Sequence, residues 1–182
     1  MVMCGRKNKG FMGKITFILG GVRSGKSRYG VGLAKKGKQI AFLATAQALD
    51  KEMKQRISKH KKERPKNWVT FEEPRNIAAA VKKISGKFDV ILIDCLTLWV
   101  SNCLLGGMSI KLIEKEIEEL LFAGKKSSAQ VILVSNEVGL GVVPDNKLAR
   151  DFRDLAGRVN QITAQYADTV VFMVAGIPMV VK

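Results

Sequence analysis

Short, continuously apolar segments alternate along the chain with longer ones whose apolar residues recur at helical spacing. Ile15–Leu19 is an apolar run that ends at Gly20-Gly21, the pattern of a buried strand. Gln39–Thr45, Trp68–Phe71, Val90–Asp94, Val131–Ser135, Thr169–Val174 and Met179–Val181 predict further strands. Between them, Ser27–Lys36, Asp50–Lys62 and Arg75–Ile84 predict helices, and Arg64-Pro65 stops the second because a residue before proline disfavours helical angles. Ile110, Ile113, Ile117, Leu120 and Leu121 share one helical face. Asp145 is placed to cap a long helix in which Leu148, Phe152, Leu155, Val159 and Ile162 recur, with Lys147, Arg150, Asp154 and Arg158 turned away. Strands that are apolar on both faces, separated by helices, predict one α/β domain with a mostly parallel, doubly wound sheet flanked by helices.

Composition adds limits. The chain has 182 residues, 47% hydrophobic and 26% charged, which suits one globular domain and excludes a disordered chain. Cys4, Cys95 and Cys103 lack metal-ligand spacing and cannot close a disulfide framework, so a reduced, cytoplasmic protein is expected. The start shows no apolar signal-peptide core. Neither long apolar run, Val90–Leu105 interrupted by Asp94 nor Val170–Val181 containing Pro178, suits a membrane span, so no membrane insertion is expected.

The charge is +15 and uneven. Residues 1–14 hold Arg6, Lys7, Lys9 and Lys14 without an acid, and residues 51–66 hold eight bases against two acids. Residues 1–13 are expected to be a flexible basic tail, ahead of a catalytic domain over 14–182. The second cluster is either a solvated helix face or a polyanion site. Aromatics are 7% and do not interleave with the bases, which argues against a nucleic-acid groove.

The segment Gly20, Gly21, Val22, Arg23, Ser24, Gly25, Lys26, Ser27 fits GxxxxGK[ST], between an apolar strand and a helix. Such a P-loop lets backbone N–H groups converge on phosphate oxygens at a helix N-terminus. Lys26 would reach the β- and γ-phosphates, and Ser27 would ligate Mg²⁺. Asp94, ending an apolar strand, is the matching Mg²⁺-orienting carboxylate. Arg23 either contacts phosphate or makes a structural salt bridge. Asn136 and Glu137 end a strand on the edge where open α/β sheets bind ligands; Glu137 would position substrate, act as a base, or fix the Gly139–Gly141 loop.

His60 is the chain's one histidine and lies among Lys59, Lys61, Lys62 and Arg64. Neighbouring cations favour the neutral imidazole, which is a nucleophile, and could stabilise charge on a triphosphate leaving group.

Three stretches carry a resemblance: GGVRSGKS, then ATAQALDKEMKQRISKHKKERPKNW, then NEVGLGVVPDNKLARDFRDLAGRVNQ. Together they resemble the bifunctional adenosylcobinamide kinase / adenosylcobinamide-phosphate guanylyltransferase family of cobalamin biosynthesis. The likeness runs from about Lys14 to Lys182; the first stretch is common to P-loop proteins, while the other two are specific. It implies a RecA-like P-loop domain that phosphorylates adenosylcobinamide with ATP or GTP. It further implies that GTP guanylylates a histidine, here His60, and that the GMP passes to adenosylcobinamide phosphate. Nucleotide contacts would fall on Gly20–Ser27, on Ala44, Thr45 and Ala46, on Lys61, Lys62, Glu63 and Arg64, and on Glu72 and Asp94. Lys62 and Glu63 stand where Asp-Gly is often found, and Asp94 where some relatives have Glu. Arg158 lies within the third stretch and is kept as a phosphate-binding candidate; Arg150 and Arg153 read as helix decoration. The resemblance also implies a homo-oligomer. The alternatives are a monofunctional P-loop small-molecule kinase and a nucleic-acid-associated P-loop ATPase.

Overall fold

The computed structural model describes residues 13–182 apart from Leu49. The expected tail therefore lies outside the described residues except for Gly13, whose N–H donates to the Lys125 carbonyl at 2.8 Å.

The strands are β1 (Ile15–Gly20), β2 (Ile40–Ala44), β3 (Val69–Glu72), β4 (Val90–Asp94), β5 (Gln130–Val134), β6 (Thr169–Val174) and β7 (Ile177–Val180). The helices are α1 (Lys26–Ala34), α2 (Lys51–Glu63), α3 (Ile77–Ile84), α4 (Leu96–Leu105), α5 (Ile110–Lys126) and α6 (Lys147–Tyr166). They form one seven-stranded sheet in the order β3-β2-β4-β5-β1-β6-β7. Six strands run parallel, and β7 pairs antiparallel with β6 at the edge. Pro178 sits in that edge strand, where a missing N–H costs least.

Alternation along each strand feeds two cores. On one face Ile15, Phe17, Leu43, Ile91, Ile93, Val131 and Leu133 pack against α3, α4, α5 and α6 through Val81, Trp99, Ile117 and Val159. On the other, Ile18, Phe42, Leu92, Ile132 and Val134 pack with Ala34, Tyr29 and Leu33 of α1. The helix α2 differs from the rest, since none of its described residues is fully buried.

Two local expectations are corrected. Leu96–Leu105 is a helix that the apolar run did not separate from the strand before it. Trp99, Val100 and Cys103 are fully enclosed, while the more exposed positions are Leu98, Ser101, Leu104 and Leu105, so no charged face marks the helical period. The cap of α6 is Asn146, whose Oδ1 accepts from Ala149 N at 2.8 Å, rather than Asp145. By contrast Asp50 caps α2 through Met53 N at 2.7 Å, and Arg64, extended, ends it.

A buried latch fixes the edge that carries the loops. Thr45 Oγ1 accepts from Cys95 N and donates to Cys95 O, both at 2.8 Å. Asn102 Nδ2 donates to Thr45 O at 2.8 Å and Pro74 O at 3.1 Å. Asn102→Ala leaves both carbonyls short of a donor and is expected to cost about 2 kcal/mol in urea unfolding. An unchanged midpoint would contradict the latch.

Candidate functional site: a phosphate loop beside a basic helix

Parallel strands bring their C-terminal ends to one edge, and the turn after β1 lies there. Gly20 (φ 151°) is followed by Arg23 (φ 58°) and Gly25 (φ 95°) before α1 begins at Lys26. A Cβ at Gly20 would stand 2.6 Å from Met173 O and 2.7 Å from Ser24 Oγ, so glycine is required. The turn is braced from outside: Gly176 N donates to Ser24 O at 3.0 Å, and Glu137 N to Gly20 O at 3.1 Å. Gly25 gives α1 no side-chain cap, and no acid stands in the first turn, so the positive helix end is left for an anion.

Lys26 is only 7% exposed. Its Nζ donates to Gly21 O at 2.5 Å and lies 3.5 Å from Ser24 Oγ. Burial pulls its pKa below the ordinary lysine value, opposed by the charge of Asp94. The Cys95 thiol is itself pushed up to about 12, by burial and then by Asp94, so it stays protonated and is no nucleophile. Asp94 ends β4, with β5 between it and the phosphate-loop strand, roughly 10 Å across two strand spacings. Ser27 and Asp94 are both half-buried, and neither side chain has a hydrogen bond or ion pair among the described residues.

Arg64 lies on the far side of Asp94. Its guanidinium carbon is 3.7 Å from the centroid of the Phe42 ring, a cation–π stack on β2. Its Nε and Nη1 are buried without a partner among the described residues. Burial pulls its pKa down, against the fields of Asp94 and Glu72. Lys61 Nζ is 2.5 Å from Glu72 Oε1, and that contact holds the Glu72 carboxyl below its usual range. These links tie the last turn of α2 to the ends of β2 and β3. His60 stands in that turn, exposed, as is Lys62. The Glu63 side chain lies outside the described part of the structure.

The edge thus gathers Gly20–Ser27, Asp94, Arg64, Lys61 and Glu72. Among Ala44–Ala46 the arrangement is more restrictive than the sequence indicated. Thr45 is fully buried, with its hydroxyl taken by Cys95 and its carbonyl by Asn102, and the Ala44 carbonyl accepts from Glu73 N at 3.0 Å. Ala46 alone of the three is appreciably exposed. Arg158 is not brought to the edge; its Nε is 2.5 Å from Glu114 Oε1, a tie between α6 and α5. Arg23 is exposed, with no ion pair among the described residues. Glu137 Oε1 accepts from Gly139 N at 2.8 Å, the loop-fixing option.

Sequence reasoning missed two features here. Phe42 as a platform for Arg64 had no signal, because the two are joined only by the fold. A polar chain under the edge was also unmarked: Asn136 N donates to Thr97 Oγ1 at 2.6 Å, Thr97 Oγ1 is 3.1 Å from Ser135 Oγ, and Asn160 Nδ2 donates to Asn136 O at 3.2 Å. Thr97, Ser135 and Asn136 at strand and helix ends, with Asn160 inside α6, were its only trace.

Known proteins bear on this edge as follows. The RadB recombinase structure aligns with a TM-score of 0.51 at 13% identity, over 90% of this chain and 76% of that one, a likeness of fold alone. The bifunctional adenosylcobalamin biosynthesis protein CobP of Pseudomonas aeruginosa is 45% identical over 166 residues, covering 91% of this chain and 95% of that protein. CobU of Salmonella typhimurium, described in the same words, is 42% identical over 177 residues, 91% and 98% of the two chains. The family described as cobinamide kinase / cobinamide phosphate guanyltransferase matches residues 16–181. With the phosphate loop, Asp94 and the basic helix all inside that match, the chain belongs to the cobinamide kinase / cobinamide phosphate guanyltransferase family.

Proposed function

We propose that this chain carries out both reactions of its family at the edge described above. The observation that carries the reading is the placement of two differently built cation sites around Asp94: Lys26 in the phosphate loop on one side, and Arg64, one turn beyond His60, on the other.

In the first reaction the phosphate loop binds ATP or GTP, with Lys26 and the N–H groups opening α1 on the β- and γ-phosphates. The aminopropanol hydroxyl of adenosylcobinamide attacks the γ-phosphorus, the bond to the β-phosphate oxygen breaks, and a nucleoside diphosphate leaves. In the second, a His60 ring nitrogen attacks the α-phosphorus of GTP and pyrophosphate leaves. An oxygen of adenosylcobinamide phosphate then attacks the same phosphorus, the P–N bond breaks, and adenosylcobinamide-GDP forms with His60 restored. Arg64 supplies a planar pair of donors for the departing pyrophosphate. Its buried N–H groups, unpartnered among the described residues, favour that role, because an oxyanion would satisfy them.

Mg²⁺ belongs to this reading. Among the described residues no cluster of three or more His, Cys, Asp or Glu could hold a metal. Magnesium bound to a nucleotide needs less, since it keeps several waters and takes one or two protein oxygens beside phosphate. The Ser27 hydroxyl and Asp94 carboxylate fit as hard, uncommitted oxygen donors. When bound, the ion would neutralise charge on the phosphates. Homo-oligomerisation and action in the cytoplasm are also part of the proposal; among the described residues no helix is long and apolar enough to cross a membrane.

Three outcomes test the reading. Incubation with GTP and Mg²⁺ is expected to add one GMP to the intact mass, acid-labile and absent in His60→Ala; a wild-type protein that never gains GMP removes the transferase half. Lys26→Ala is expected to lower kcat/KM for cobinamide phosphorylation by about 10²-fold or more, and near-normal turnover would remove the phosphate-loop assignment. Arg64→Lys keeps the charge but loses the stack and the planar donor pair. Single-turnover labelling with [α-³²P]GTP is expected to slow by roughly tenfold or more, and an unchanged rate would remove Arg64 from the leaving-group site.

A further inference from the structure

The segments that flank the phosphate loop, after β5 and between β6 and β7, are built of different material from α2. Residues 138–144, VGLGVVP, carry no charge in a chain of net +15. Val142 is 93% exposed, Leu140 79% and Val143 59%. Val22, on the phosphate loop itself, is 76% exposed, and Ile177 and Val174 at the β6–β7 turn are 69% and 49% exposed. Aliphatic residues gathered in the open mark interaction surfaces more often than chance would place them.

These residues are physically continuous with the phosphate loop. The 138–144 loop starts from Glu137, whose N–H is bonded to Gly20 O, and the β6–β7 turn holds Ser24 O through Gly176 N. The longer loop is also held in shape. Glu137 Oε1 accepts from Gly139 N at 2.8 Å, Arg150 Nη1 donates to Pro144 O at 3.0 Å and Asp145 O at 2.6 Å, and Asn146 caps the helix that follows. Arg150, read from sequence as helix decoration, is thus a staple of this loop. Strand order sets β5, β1, β6 and β7 beneath the uncharged rim, with the cations of α2 tied to β2 and β3 on the other side of Asp94.

We propose that this rim, formed by Val22, Leu140, Val142, Val143, Val174 and Ile177, is the docking surface for the macrocyclic body of the corrinoid acceptor. The inference rests on the cobinamide reading above. A corrinoid is a broad, flat ring edged with methyl and amide groups about a cationic cobalt centre, and its reactive hydroxyl sits on a short arm. The basic cluster at α2 repels that centre and attracts the nucleotide phosphates, whereas the uncharged rim accepts the ring's methyl-bearing edge. Docked there, the ring holds its arm toward the loop where the γ-phosphate is bound.

The test uses the full chain with adenosylcobinamide, followed by its visible absorbance in ultrafiltration, and two variants, the double Leu140→Ser/Val142→Ser and Ile177→Ser. Each is expected to weaken corrinoid binding and to raise its KM in the kinase reaction by about tenfold or more. Formation of the GMP adduct from GTP alone, which requires no acceptor, is expected to match wild type. If both variants bind adenosylcobinamide within twofold of wild type, the docking surface is wrong while the cobinamide reading stands. If they do so and also shift to a smaller species in light scattering, the rim is a contact with a second copy instead. A wild-type protein that binds no adenosylcobinamide overturns both readings.

Discussion

The ammonium of Lys26 is enclosed at the end of a parallel sheet, and the loops around it are arranged to make that tenable. A buried cation needs acceptors, and here they come from the loop's own Gly21 carbonyl and from the field of Asp94. Those acceptors stay in place because Gly20 and Gly25 take backbone angles that few side chains permit, and because Glu137 and Gly176 brace the loop from the neighbouring strands. The Thr45–Cys95–Asn102 latch in turn fixes the end of β4 on which Asp94 rides. Local strain, strand order and electrostatics thus converge on one ammonium group.

The second cation is stabilised by other means. Arg64 is laid flat on Phe42, which covers one face of the guanidinium without using its N–H groups. Lysine suits the loop because a compact charge on a flexible stem can follow phosphate oxygens. Arginine suits the far site because a stacked plane presents its donors in a fixed direction. The two therefore do not substitute for one another, and an anion spanning the edge meets two kinds of recognition.

Much of this was readable in the sequence, and what was not has specific causes. The run Ile15–Leu19 before GGVRSGKS specified both a buried strand and its loop, since glycine spacing, lysine and the following helix all report on one local structure. VILID was equally plain. The helix Leu96–Leu105 was not, because its more exposed positions, Leu98, Ser101, Leu104 and Leu105, are mostly apolar and carry no charge to set off a buried face. Thr45 illustrates a second limit: a threonine beside a binding edge looks like a ligand contact until the fold brings Cys95 to its hydroxyl. Arg158 illustrates a third, because its partner Glu114 lies on another helix and only α5–α6 packing makes the pair. Contacts between residues close in sequence were legible; those chosen by tertiary packing were not.

The β6–β7 turn has a bearing on when the protein can function during its own synthesis. The phosphate loop occupies residues 20–27, yet its strand lies between β5 and β6, and one of its braces is Gly176 N, far along the chain from Ser24. A ribosome that has already released the loop must still make and extrude β5, β6 and the β6–β7 turn before those neighbours exist. Pairings so distant in sequence form late. The braced form of the loop is therefore acquired only after the β6–β7 turn has been made, long after the loop itself.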